Sequence, residues 1–528
     1  MPFRYLDHFQ LDLILHFKKY LDMKNTYKIF TLIISFLFVF SCSDLEEDRS
    51  GILSLDNLQS EGDLVAALTP VYKELQQTFK NPHFMRTNTF GSDDITTWWG
   101  GNKAPLRVFD GFNYGNGENS EVNWLDWDWK GFWKVIYHAN SLVEGLKTST
   151  APDALKSVVE GEARFLRAFA YFQLVREHGN MPIILDGMTP TGDEQRATVL
   201  ENYQHIEADL LYAEANLPAP GATANVGRAS AAAAKTVLAD LYLTWAGWPV
   251  KDTSKNALAA TKAKEVIDMG YHSLLPISEL WLLENANSRE SIFSVQFSKE
   301  EDHRNGHPAA TSFHMARGWS DMYPELQFFK DFPEGPRKEA TFVTDIPNRG
   351  FAGGKIITKS PASVEWSVSE RFHPMYGKFT ASEDLTVVGR TMGYRPIEVY
   401  RYAEVLLIFA EAKAASGSLD APALDALNQV KRRAAGLDPF TSDPTVDVTS
   451  ANVNDIITEK GWELAAEHKR WFDLIRTETL ETAISRRDPN EQVPLVRQPT
   501  KDQYITPIPA EAIATSKLIQ NPQGFKVQ

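Results

Sequence analysis

The residue with the most committed chemistry is a thiol. Cys42 is the chain's single cysteine, so an internal disulfide and a multi-thiolate metal centre are both excluded. It follows Ser41 and an apolar run from Ile29 to Phe40, itself preceded by Lys24 and Lys28. About 12 apolar residues are too few to span a bilayer, which takes roughly 20, but they suit a secretory signal core. A basic start, an apolar core and a small residue before cysteine form a bacterial lipoprotein signal over 23–41. Cys42 is then the acylated first residue, for example carrying palmitate, and tethers the protein without a transmembrane helix. Asp44, Glu46, Glu47 and Asp48 read as a solvated tether. Residues 1–22 fit the opening of a signal poorly. They are expected to be an upstream extension from a misassigned start, with Met23 the true beginning.

A second group of residues suits binding. Trp98 and Trp99 sit in SDDITTWWGGN beside Asp93 and Asp94. Trp124, Trp127 and Trp129 sit in NWLDWDW, and Trp319 and Tyr323 in ARGWSDMYPE. An indole offers a flat apolar face to the C–H face of a sugar ring, and a nearby carboxylate can accept hydroxyl hydrogen bonds. The candidate ligand contacts are therefore Trp98, Trp99, Asp93, Asp94, Trp124, Trp127, Trp319 and Tyr323. The plainer reading of any one Trp is that it fastens a loop to the body. Trp133, Tyr137 and Asn140 are assigned to packing.

Catalytic chemistry is hard to find. No G-x-S-x-G elbow, P-loop, H-E-x-x-H pair or dinucleotide fingerprint is present. His303 and His307 are four apart, but Asn305, Gly306 and Pro308 argue against a helix presenting both to a metal. Asp126 and Asp128 partly match a calcium loop whose further ligand positions are missing. No cofactor or metal is predicted, although nothing forbids a structural calcium. Asp93 or Asp94 could join a second carboxylate in a glycosidase pair, a separation that sequence does not define.

The elements that must position these residues are mostly helical. Periodicity predicts helices over Leu58–Lys80, bent or split at Pro70, and over Phe132–Leu146 and Glu160–His178 with a stop at Gly179. Further helices are expected over Leu200–Asn216, Ser230–Ala246, Asn256–Met269, Tyr402–Ala415, Ala423–Ala435 and Asn454–Arg476. Ala231 to Ala234 and Ala259, Ala260 and Ala263 suit close helix approach. Pairs of this kind are the signature of stacked helical hairpins of the tetratricopeptide type. Loop-rich stretches over Asn81–Lys130 and Phe297–Gly393 contain much of the aromatic content of a chain with 13 Trp, 17 Tyr and 30 Phe. Ordered loops of this length are usually functional. The net charge of -15 argues against a nucleic-acid partner, since phosphate recognition needs clustered cations.

Four stretches in order carry a family resemblance: GEARFLRAFAYFQLVREHGNMPII from Gly161, YRPIEVYRYAEVLLIFAEAKA from Tyr394, EKGWELAAEHKRWFDLIR from Glu459, and YITPIPAEAI followed by LIQNPQGF at the end. With the signal, they make the chain resemble the SusD/RagB-like outer-membrane lipoproteins. His468 and Lys469 depart from the usual motif, as does Gln523 in the closing one. Physically the motifs read as scaffold. Glu160 and Arg164 are an i,i+4 pair, as are Glu463 and Glu467 with their basic neighbours. Glu404 and Glu411 share a helical face and are expected to meet an Arg such as Arg401 or Arg432.

The resemblance implies one unit over 42–528: an N-terminal part over 42–220 with a loop lobe at 81–130, and a remainder over 221–528 with a loop lobe at 297–393. It implies a mostly α, tetratricopeptide-like scaffold with a large loop-rich lobe, facing the cell exterior on the outer membrane. It further implies a non-catalytic lipoprotein that captures a nutrient glycan and works with a SusC-like TonB-dependent transporter. By position in the lobe it favours Trp98, Trp99 and Trp319. A peptide ligand, a surface glycoside hydrolase and a purely structural scaffold are the alternatives. Exposed Trp98 and Trp99 beside Asp93 or Asp94 would favour the glycan; burial of the pair would favour the scaffold and peptide readings.

Overall fold

The computed structural model describes residues 58–81, 89–113, 126–222, 226–314, 318–352, 355–380 and 393–521. The signal, Cys42, residues 1–22 and Trp124 lie outside them, so the expectations placed there concern undescribed residues. Among the described residues nine long helices carry the body: α1 (Glu61–Lys80), α2 (Asp126–Leu146), α3 (Asp153–His178), α4 (Val199–Asn216), α5 (Ala231–Ala246), α6 (Lys255–Asp268), α7 (Tyr402–Ala415), α8 (Ala421–Ala434) and α9 (Val453–Glu463). From α1 to α8 each packs on the next in chain order, across the long excursion between α6 and α7. That is the helical-hairpin stacking expected of a tetratricopeptide-like scaffold. Among the described residues no helix is long and apolar enough to cross a membrane.

Local chemistry explains the ends. Ser60 caps α1 and Asp63 reaches back to the Ser60 amide, while Thr198 and Glu201 form the same reciprocal box on α4. Gly179 stops α3 with φ 75° and returns its amide to the Val175 carbonyl. The alanines behave as expected. Ala231 to Ala234 on α5 and Ala259, Ala260 and Ala263 on α6 are buried where those helices meet.

Three expectations change. α1 runs through Pro70 without splitting; tertiary packing of Leu64, Leu68, Val71 and Leu75 outweighs the lost hydrogen bond. The helix expected over Asn454–Arg476 is two, α9 and α10 (Arg470–Arg476), parted at Ala466 and His468 with φ 62° and 59°. The break frees the Ala466 amide to donate to the Asp94 carboxylate at 2.9 Å. Tyr137 is 59% exposed rather than packed. Trp133 does pack, edge-on to Tyr171, and buried Asn140 donates to the Ile184 carbonyl.

The excursion is also more regular than a loop. Eight short strands pair two by two: β1 (Ile95–Thr96) with β3 (Tyr323–Pro324), β2 (Ser291–Val295) with β8 (Ile397–Arg401), β4 (Phe342–Val343) with β7 (Met375–Tyr376), and β5 (Asp345–Ala352) with β6 (Lys355–Glu365). All four pairings are antiparallel. A satellite core of Phe313, Tyr323, Ile346 and Met375 underlies this lobe, with Trp98, Val343 and Trp366 packed against it.

A buried ionic layer locks the scaffold. Glu290, Arg401, Arg433, Glu463 and Arg337 are all nearly inaccessible and mutually paired. Burial alone would raise the Glu463 carboxyl, but Arg433, Arg401 and Arg337 together hold it well below the carboxylate range. The Glu160–Arg164 pair forms as expected. Glu404 and Glu411 do meet cations, though different ones: Lys469 at 3.0 Å and Arg476 at 2.6 Å. Arg432 instead serves Asp425 and Asp447. Helical spacing identified the face but not which segment crosses it.

Candidate binding face

Two loops far apart in sequence are brought together by the short β1–β3 pairing, in which Ile95 faces Pro324 and Thr96 faces Tyr323. Trp98 and Trp99 follow β1 directly, and Trp319 precedes β3 by four residues. Lys103 at the end of the first loop is ion-paired with Asp321 of the second. The Trp319 loop is held to the segment 307–313 by backbone bonds: Gly318 to Phe313, Trp319 to Ala309 and Asp321 to Ala310. Gly318 is required there, because a Cβ would lie 1.9 Å from the Ser312 carbonyl oxygen. Arg107 donates to the Trp98 and Gly100 carbonyls, fixing the other loop.

The result is an aromatic face on a rigid base. Trp98 is half-buried on the satellite core, and Trp99 leans on it with centroids 5.3 Å apart. The Arg371 guanidinium covers the Trp98 ring at 3.7 Å. Trp99 is 58% exposed and Trp319 42%. Such a face offers indole surface and cationic edges, and these suit stacking on a ring. Arg371 and the exposed Phe372 were not candidates from sequence. They lie in RFHPM with no periodicity to mark them, and only the fold places Arg371 over Trp98.

The acids of this loop are used differently from the sequence expectation. Asp94 is buried, accepting from Ser92 at 2.5 Å and from the Ala466 amide, and burial pushes its carboxyl up to about 6. Asp93 is held by Arg470 at 2.7 and 2.8 Å. Neither is turned to the exposed indoles as a spare acceptor. Tyr323 is fully buried, edge-on to Phe313 at 4.9 Å, and serves the satellite core. Trp127 is exposed but belongs elsewhere: its indole N–H donates to the Thr78 carbonyl at the end of α1. Trp124 lies outside the described residues.

Among the described residues Asp126 and Asp128 lie in α2, within helical backbone. His303 and His307 are separated by environment. His303 is half-exposed, whereas His307 is buried against Phe379 and His468. They do not converge on a metal.

An acid pair does occur next to β3. Burial and then the Glu491 carboxylate push Glu325 up to about 8, against amide bonds from Phe328 and Asp488. Glu491 is committed to the Leu326 amide at 2.6 Å and to His373 at 3.1 Å. Glu325 borders a cavity of about 290 Å³ with Asp93, Asp331, Trp462 and Arg470, but Glu491 does not. A glycosidase needs both carboxyl groups at the substrate, and Glu325 and Glu491 do not share that cavity.

Two family models match the chain in succession: "Starch-binding associating with outer membrane" over residues 63–243 and "SusD family" over 289–524. The SusD-like protein P2 of Formosa agariphila is 25% identical, with 94% of this chain and 99% of that one covered. Among solved structures, a SusD homolog from Bacteroides thetaiotaomicron superposes with a TM-score of 0.75 at 21% identity, covering 90% of this chain and 99% of its own. Surface glycan-binding protein A from Bacteroides uniformis gives 0.71 at 22%, covering 88% and 100%. The helical scaffold, its loop lobe and these matches agree, and the chain belongs to the SusD/RagB family.

Proposed function

We propose that the protein is a non-catalytic surface lipoprotein that captures a nutrient glycan on the Trp98, Trp99 and Trp319 face. It passes the glycan to a SusC-like TonB-dependent transporter in the outer membrane, to which Cys42 tethers it by acylation. The observation that carries the reading is the exposure of Trp99 and Trp319 on loops locked together by the Lys103–Asp321 ion pair. A preformed face of this kind loses little entropy on binding. Support also comes from the glycan-binding name of a fold neighbour and the starch-binding description of a matching family model. The commitment of Asp93 and Asp94 to the scaffold shifts the polar contacts to other groups, with Arg371 the nearest candidate.

The test uses chain beginning at Ser43, screened against diverse polysaccharides and peptides with every mixture checked for cleavage products. Retention by one glycan class, without products and lost in Trp99→Ala, is the expected result. Released sugar would revive the hydrolase reading at Glu325. Binding of peptides with silence on all glycans would replace the ligand.

A further inference from the structure

Outside the aromatic face, one side-chain cluster has metal-ligating chemistry. Asp128 on the first turn of α2 and Glu177 and His178 at the end of α3 each turn a donor atom to a common point. These atoms all lie within 4.8 Å of one another, and all three residues are buried. His178 is fully inaccessible, and neither ring nitrogen meets a partner at hydrogen-bonding geometry. The ring faces the Thr506 and Pro507 backbone without completing a hydrogen bond, and a buried imidazole left so costs free energy unless something occupies its lone pair.

The surroundings favour a cation further. Glu177 and His178 occupy the last turn of a helix of 26 residues, whose carbonyl end carries partial negative charge. Trp129 closes one side, edge-on to His178 at 5.1 Å. The C-terminal segment closes another: the Thr506 amide donates to the Glu177 carbonyl at 2.7 Å, and Asn521 donates to the His178 carbonyl at 2.9 Å.

We propose that Asp128, Glu177 and His178 form a site for a divalent transition cation, Zn²⁺ above all, that fastens α2 to α3 next to the C-terminal segment. An imidazole nitrogen among two carboxylates suits zinc, whereas calcium takes oxygen donors. Ligand bonds of about 2 Å require the three donors to draw together slightly around the ion. A water or a backbone carbonyl completes the shell. All three ligands are buried side chains, which suits a structural role, and binding stabilises the folded state by mass action.

The experiment uses the full chain, stripped with EDTA and returned to ZnSO₄. One equivalent of zinc by elemental analysis is expected, with a rise in melting temperature that EDTA reverses. His178→Gln and Asp128→Asn should each weaken zinc at least about tenfold. Because buried variants can misfold, the wild type is also crystallised with zinc and anomalous scattering is recorded at the zinc edge. A peak bounded by Asp128, Glu177 and His178 establishes the site. No stoichiometric zinc, a peak elsewhere, or variants that fold and retain zinc would overturn it.

Discussion

The guanidinium of Arg371 lies over the Trp98 indole, its carbon 3.7 Å from the ring centroid. Trp98 is thus covered by a cation and seated on the satellite core, while Trp99 and Trp319 keep their exposed surface. The three indoles should therefore respond differently to removal.

Trp99→Ala and Trp319→Ala are expected to weaken glycan binding by at least about tenfold each, as for exposed aromatic anchors of an interface. Their melting temperatures should stay within a few degrees of wild type. Trp98→Ala should lower both affinity and stability, because it also packs on the satellite core. Affinity electrophoresis beside thermal melts separates the two effects; equal losses of stability in all three would contradict the assignment.

Gly318→Ala tests whether the loop conformation matters independently of the indoles. The added methyl meets the Ser312 carbonyl, so the segment carrying Trp319 must move. Glycan affinity should fall by roughly tenfold with Trp319 still present, as small displacements of a rigid anchor forfeit its contacts. Unchanged affinity would show that Trp319 lies outside the binding face.

Glu463 supports Arg401, Arg433 and Arg337 together. Glu463→Gln should destabilise the protein by about 3–5 kcal/mol, because buried guanidinium groups lose their counter-charge. Urea unfolding measures this. A loss under about 1 kcal/mol would mean that the layer relaxes around its missing anion.

Stability should fall as pH rises from about 6.5 to 8, above the range where histidines that burial keeps neutral add stability with rising pH. An unfolded Glu325 releases its proton near 4.5, whereas the folded one holds it to about 8. Between those values the folded state binds more protons, so each rise in pH favours unfolding. The contribution is full below the unfolded value and lost by about 8; Asp94 adds the same sign up to about 6. A decline of roughly 1–2 kcal/mol in the unfolding free energy from urea titrations is expected between pH 6.5 and 8. Glu325→Gln should flatten the part above pH 6, and an unaltered slope would show that another group titrates.

Cys42→Ser should abolish incorporation of labelled palmitate and release the protein from membranes into the soluble fraction. Retention in the membrane by the variant would place the anchor elsewhere.

The scaffold was legible because a helix burying one stripe must repeat its apolar residues at helical spacing. Phe165, Phe169 and Phe172 mark α3 in that way and Gly179 marks its end, whereas α5 and α7 are buried on nearly every side and are marked by alanine-rich and apolar composition instead. Local composition named Trp98, Trp99 and Trp319 as candidates but left their exposure open, and only the fold leaves Trp99 and Trp319 exposed while seating Trp98 on the satellite core. Pairing across long separations was not legible. Nothing near Asp94 announces that Ala466, 372 residues later, will turn out of a helix to reach it. Arg371 over Trp98, and Lys469 rather than Arg401 on Glu404, are choices of the same kind. Periodicity reports the face that a side chain occupies along its own element. Which charge or ring meets it there is decided by how the elements cross, and by the need of every buried charge to find a partner.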